Sequence, residues 1–159
     1  MKRIIIRLAE NDDIGKIHDL IGKYSKDEVL LPKSLEKIKD MLPSFLVAQY
    51  DGRFAGNVGF KIDEDFQAEI VSWVVDKQYH GHGIGGVLIT SVMEKIEDLG
   101  IRSVLALTTR PGTFEKHGFK EVDKNSLTKK ILADCSHCPI NKAVPGSVEC
   151  KERAFLKSW

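Results

Sequence analysis

The residues best suited to chemistry cluster in one run, His80-Gly81-His82-Gly83-Ile84-Gly85-Gly86, where four glycines alternate with two imidazoles and an isoleucine. Ahead of it, Glu69-Ile70-Val71-Ser72-Trp73-Val74-Val75 reads as a buried strand, β-branched and aromatic with no breaker. Behind it, Ile84, Leu88, Val92, Ile96 and Leu99 recur at helical spacing, with Val87, Ile89 and Met93 widening the stripe and Gly100 as the stop. The glycines therefore sit where a strand hands over to a helix. A helix start offers unpaired N–H groups and a partial positive charge, and glycine lets an anion come close. The run predicts a diphosphate cradle.

Two familiar cradles do not fit. Gly81 to Gly86 matches G-x-G-x-x-G, but a dinucleotide fold needs the strand to run directly into the first glycine and an acid about 20 residues on. Here Asp76-Lys77-Gln78-Tyr79-His80 intervenes, and the following strand ends Thr108-Thr109-Arg110 with no acid. A nucleoside-triphosphate loop needs Lys-Ser/Thr after its last glycine, where this chain has Val87-Leu88. Among other ionisable groups, Glu69 stands near the start of the strand leading to the cradle. Strict alternation puts Glu69, Val71, Trp73 and Val75 on one face. Apolar strand faces rarely carry a bare carboxylate, and the plain reading of Glu69 is a surface group at the strand end. Glu64 and Asp65 lie in a turn expected to be solvated.

The pattern resembles the GNAT acetyltransferase superfamily, whose mark is a Val-rich strand, a few polar residues and then Arg/Gln-Gly-x-Gly-x-Gly/Ala opening a helix. Phe114-Glu115-Lys116-His117-Gly118-Phe119 is similar to the family's downstream aromatic-Glu-Lys-x-Gly-Phe. Leu30-Leu31-Pro32-Lys33-Ser34-Leu35, Leu105 to Arg110, Phe114 to Asp123, and Ala133-Asp134-Cys135-Ser136-His137-Cys138-Pro139 with Cys150 and Glu152 resemble short, single-domain amino-acid N-acetyltransferases of the N-acetylglutamate synthase type.

The resemblance implies acetyl-CoA as co-substrate. Its pantetheine would lie along Trp73, Val74 and Val75, its diphosphate on His80, Gly81, His82, Gly83, Ile84, Gly85 and Gly86, with Thr108 and Phe114 alongside. It implies Glu69 as general base, directly or through water, and glutamate as acceptor, with Lys33 and Arg110 holding its carboxylates and Lys129 or Lys130 closing over it. The chemistry would be transfer to an α-amino group in a ternary complex, as in arginine biosynthesis. Alternatives are another amine or peptide acceptor, or an acyl-CoA-binding module without turnover. Two departures stand out. His80 occupies the family's Arg/Gln position, and an imidazole attracts phosphate less than guanidinium does. Phe114 falls where the family's proton-donating tyrosine would be and has no proton to give; Tyr79 and His117 read as packing or surface groups, so no acid is assigned.

These residues need elements to hold them. A 159-residue chain with 42% hydrophobic and 30% charged residues is expected to form one domain of ordinary size, which the resemblance makes a single GNAT domain over residues 1–159. The fold class expected is α/β (α+β): a mostly antiparallel sheet, splayed at the Val75 and Thr108 strands, with helices on both faces. Strands are expected at Ile4–Arg7, Phe45–Tyr50, Phe54–Ile62, Ala68–Val75, Arg102–Thr108, Phe119–Val122 and Lys151–Lys157. Helices are expected after Asn11-Asp12-Asp13, after Ser34 (Leu35, Ile38, Met41, Leu42), and from Ile84 and Pro111; Leu30-Leu31 should tuck inward. Asp51-Gly52-Arg53 is a hairpin signal, and Asp123 to Cys150 reads as a long functional loop. A net charge of +1 and the lack of a basic stripe exclude a nucleic-acid footprint, and no apolar run suits a membrane. Three cysteines and no export signal predict a reducing, cytoplasmic setting. Cys135, Cys138 and Cys150, with His137 or Asp134, form a weak zinc pattern, and packing thiols are the default reading. Partners are expected to be small-molecule substrates, with a homodimer compatible but unspecified.

Overall fold

A computed structural model describes residues 3–25, 32–108, 110–123 and 153–159. Seven strands and four helices occur among them: β1 (Ile4–Leu8), α1 (Ile14–Ser25), α2 (Leu35–Asp40), β2 (Phe45–Tyr50), β3 (Arg53–Ile62), β4 (Ala68–Val75), α3 (Ile84–Asp98), β5 (Ser103–Thr108), α4 (Pro111–Glu115), β6 (Lys120–Val122) and β7 (Arg153–Ser158). The chain forms two compact units, Met1–Ile101 and Arg102–Trp159. Leu30, Leu31, Lys129, Lys130, Asp134, Cys135, His137, Cys138 and Cys150 lie outside the described residues, so the inward leucines, the closing lysines and the zinc pattern fall there too.

In the first unit, β1, β2, β3 and β4 pair in sequence order, every pair antiparallel. The β2–β3 hairpin closes through Asp51 and Gly52, both at positive φ (54° and 81°), the conformation that matches a tight turn to strand twist. One face of the sheet packs Phe45, Val47 and Val74 against Ile17, Leu20 and Ile21 of α1 and Ile38 of α2. On the opposite face a Cβ on Gly56 would meet Leu88 of α3, so α3 covers that side. Helices thus lie on both faces of this sheet.

The helix ends follow local chemistry. Asn11–Asp13 is a short 3₁₀ turn rather than a direct cap, and Asp13 closes it by accepting from the Glu10 N–H (2.7 Å) while binding both Arg7 Nη atoms. Ser34 caps α2 by accepting from the Lys37 N–H at 3.1 Å. Gly100, at φ 83°, ends α3. Three apolar expectations are corrected: Leu35, Val87 and Leu99 are 51%, 41% and 49% exposed, because they lie at the rim of their helical stripes.

In the second unit β7 pairs antiparallel with both β5 and β6. An Arg153–Glu121 ion pair ties β7 to β6, and Phe114 of α4 meets Phe119 edge-on at 5.2 Å. The last strand starts at Arg153 among the described residues.

Candidate active site

The glycine run forms the start of α3. Gly81 and Gly83 take left-handed backbone (φ 87° and 78°), Gly83 is the N-cap, and a Cβ on either would meet nothing within 4 Å. These two glycines are thus required by backbone conformation, not by crowding. The first intrahelical bond of α3 is Val87 N–H to Gly83 O (3.2 Å), which leaves the N–H groups of Ile84, Gly85 and Gly86 without an intrahelical partner. A Cβ on Gly85 would touch Val75 Cγ2 at 3.7 Å and Trp73 Nε1 at 3.8 Å, and Trp73 Nε1 donates to the Gly85 carbonyl at 3.2 Å. The helix start therefore faces β4 across a gap wide enough for a methyl group, both distances being ordinary van der Waals contact. Open donors, positive dipole and that gap fit a diphosphate group.

The approach to this cradle is braced. Asp76 accepts from Lys23 of α1 (3.2 Å), and the Tyr24 hydroxyl accepts from the Lys77 N–H (2.6 Å). His80 is spent on the backbone: its Nε2–H donates to the Val75 carbonyl at 2.9 Å. The imidazole at position 80 thus braces the loop through its bond to the β4 backbone. His82 stacks on Tyr50 (4.6 Å) with its Nδ1 3.2 Å from the tyrosine hydroxyl. Tyr79 packs against the same Tyr50 at 5.7 Å. Ile84 and Val74 turn their side chains into the core, 1% and 9% exposed, which leaves only their backbone for the cradle.

The face assignment of β4 needs correction. Val71 pairs with Gly59 and Val74 with Asn57, so two residues, Ser72 and Trp73, oppose Val58 alone. Ser72 has φ 54°, rare for a non-glycine. This bulge inserts one residue and reverses the alternation. Glu69 consequently shares its face with Val71 and Val74, whereas Trp73 and Val75 turn toward the start of α3. Buried Asn57 (0% exposed) donates from Nδ2 to the Ser72 carbonyl at 2.8 Å; its Oδ1 has no hydrogen-bond partner among the described residues.

Glu69 is 6% exposed and stands opposite Lys61 in the β3–β4 register, with Lys61 Nζ 3.5 Å from its Oε2. Lys33, just ahead of α2, belongs to the same neighbourhood. Burial pulls its pKa down, the charges of Lys61 and Lys37 add to this, and Glu69 opposes it. One buried carboxylate thus sits among cations on the α2 side of β4, able to hold a proton acceptor and an anionic substrate group together.

Thr108, Arg110 and Phe114 belong to the second unit. Thr108 Oγ1 accepts from the Arg110 N–H (2.9 Å), and Arg110 is the exposed residue preceding α4. Phe114 is 7% exposed in that unit's core. His117 has its pKa lowered by burial and by Lys157 and Lys116, so it is neutral at pH 7. Lys61, Asn57 and the bulge escaped the sequence reading. The one signal was polar Asn57 inside the apolar run Phe54 to Phe60.

A model of the acetyltransferase (GNAT) family matches residues 14–119. The chain belongs to the GNAT acetyltransferase family. Relatives of this GNAT chain include an uncharacterized N-acetyltransferase of Chlorobaculum tepidum, 29% identical over 96% of this chain and 95% of that one. An amino-acid acetyltransferase of Mycobacterium tuberculosis is 27% identical over 82% of this chain and 76% of its own. Among solved structures, N-acetylglutamate synthase of Neisseria gonorrhoeae, complexed with coenzyme A and N-acetyl-glutamate, superposes with TM-score 0.82 at 23% identity. That match covers 98% of this chain and 35% of the synthase. A Mycobacterium tuberculosis protein in complex with CoA gives TM-score 0.81 at 21% identity, covering 98% and 99% of the two chains. Both likenesses establish the GNAT fold. Among the described residues no helix is long and apolar enough to cross a membrane.

Proposed function

We propose that this GNAT protein transfers an acetyl group from acetyl-CoA to the α-amino group of an amino acid, with glutamate as acceptor, as in the first step of arginine biosynthesis in the cytoplasm. The observation that carries the reading is β4 itself. It bears a buried carboxylate on one face and, on the other, the side chains that line a diphosphate-fitting helix start. The names of the amino-acid acetyltransferase and N-acetylglutamate synthase relatives support the acceptor class.

Acetyl-CoA supplies an activated acyl group and a thiolate leaving group. The N–H groups of Ile84, Gly85 and Gly86 would hold its diphosphate, with Trp73 and Val75 beside the pantetheine. An α-ammonium must lose a proton before its nitrogen can attack, and Glu69 accepts that proton, directly or through water. Lys33, in the neighbourhood of Glu69, would hold an acceptor carboxylate, because a buried carboxylate without a cation is costly; for Arg110 the anchoring role is what the family resemblance implies. No side chain is assigned to protonate the thiolate.

The test is free-thiol release from acetyl-CoA with a panel of amino acids and simple amines. The expected result is turnover with glutamate preferred over glutamine and aspartate, and loss of that preference in Arg110→Ala. A wild-type preference for glutamine, or none among the three, removes the glutamate assignment. Absence of CoA binding removes acetyl transfer altogether.

A further inference from the structure

We propose that His82, held in place by Tyr50, donates a hydrogen bond from its Nε2 to a phosphate of bound CoA, which makes Tyr50 a positioning residue for the cofactor. The inference rests on the CoA-binding part of the acetyl-transfer reading and assigns roles to two side chains that none of its steps uses.

An exposed side chain in a glycine loop is costly to order, because fixing its rotamer loses entropy that contacts with water do not return. His82 is exposed and nevertheless fixed. Its ring stacks on Tyr50 with centroids 4.6 Å apart and planes 28° from parallel, and its Nδ1 lies 3.2 Å from the tyrosine hydroxyl. Tyr79 meets the same phenol ring at 5.7 Å, so two residues of the loop fold onto the end of β2. A Cβ on Gly81 or Gly83 would meet nothing within 4 Å, so it is the His82 ring, and not packing at the glycines, that fastens this segment.

That contact also sets the tautomer. With the Tyr50 hydroxyl donating to Nδ1, the neutral ring carries its proton on Nε2. Nε2 has no hydrogen-bond partner among the described residues. His80 differs, since the Val75 carbonyl takes its Nε2. His82 immediately precedes Gly83, the N-cap of α3, so its ring belongs to the edge of the helix start whose N–H groups fit a diphosphate. An ionised phosphate accepts strongly from such a donor. A donor already ordered by Tyr50 binds it without paying again to fix a free side chain.

Calorimetric titration of the full chain with CoA separates this role from a merely structural one. His82→Phe keeps a ring to stack on Tyr50 and removes the donor; CoA affinity should fall about 10-fold. Tyr50→Phe keeps the stack and removes only the hydroxyl; affinity should fall about threefold. Added to His82→Phe, the same change should cost nothing more, because Tyr50 acts through the imidazole. Dephospho-CoA distinguishes the two phosphate sources. A His82→Phe loss that persists with it assigns the diphosphate as acceptor, and a loss that disappears assigns the 3′-phosphate. Nitrogen-15 resonances of the imidazole give a readout in the unaltered protein: at about pH 8 the proton should reside on Nε2, and that resonance should shift when CoA is added. The proposal is overturned if His82→Phe binds CoA as wild type does, if Tyr50→Phe is neutral or weakens binding equally with and without His82, or if Nδ1 carries the proton. Failure of wild type to bind CoA at all defeats the acetyl-transfer reading itself, and the proposal with it.

Discussion

Gly85→Ala pulls stability and cofactor binding in opposite directions, and the structure gives a magnitude for each. Gly85 is in the first turn of α3 with ordinary helical backbone, and an added Cβ would make only van der Waals contact with Val75 and Trp73, at 3.7 and 3.8 Å. Alanine there removes backbone freedom from the unfolded chain, a gain of about 0.5–1 kcal/mol. For a chain of this size that raises Tm by roughly 1–4 °C. The same methyl fills the gap between the helix start and β4. If a diphosphate sits on the N–H groups there, the methyl displaces it from at least one charge-assisted hydrogen bond, each worth about 1.5–3 kcal/mol. CoA affinity should then fall by roughly 10- to 100-fold. Thermal melting and calorimetric titration with CoA measure the two effects on one preparation. A raised Tm with unchanged CoA affinity would refute the cradle, because the variant is folded and only the gap has changed.

Three further outcomes follow from the same geometry. Glu69→Gln should lose about 10²-fold or more in kcat/KM with CoA affinity unchanged; a near-normal rate returns Glu69 to a purely structural role beside Lys61. Lys33 has its pKa held down by burial and neighbouring lysines, so a bound dicarboxylate should push it back up and draw in protons. Glutamate titrations at about pH 8–10, in buffers of different ionisation enthalpy, should show that uptake, and its absence removes Lys33 as an anchor. Burial raises the Asp13 pKa, but hydrogen bonds from Arg7 and the Glu10 N–H, together with the Arg7 and Lys16 charges, outweigh it and hold the carboxyl below its ordinary value. Its stabilisation is therefore present above about pH 4 and lost as pH falls through the folded-state value. Asp13→Asn should cost about 2 kcal/mol at pH 7, with the gap to wild type closing on acidification; a gap independent of pH refutes the ion pair as its source.

What the sequence disclosed, and what it hid, divides along the range of the interactions involved. The β2–β3 hairpin, the Ser34 cap, the span of β4 and the start and end of α3 were legible because each depends on residues within a few positions of one another. Asp51-Gly52 can close a tight turn in few ways, and a glycine run after a Val-rich strand sets a helix N-terminus wherever the rest of the chain goes. The two faces of β4 were not legible. Their assignment depends on an extra residue that exists only in the pairing with β3, and period-two alternation has no way to register it. The same limit hid Lys61, which meets Glu69 only through cross-strand register, and the bracing role of His80, whose imidazole bonds to Val75 across the intervening turn. The consequence for the site is specific. Without the bulge, Glu69 would lie on the face of Trp73 and Val75, beside the cradle. With it, the carboxylate lies with Lys61 on the α2 side, where Lys33 is held. The one inserted residue thus puts the buried carboxylate and the glycine-rich helix start on opposite faces of a single strand, and the peptide where the faces exchange is the one that buried Asn57 holds.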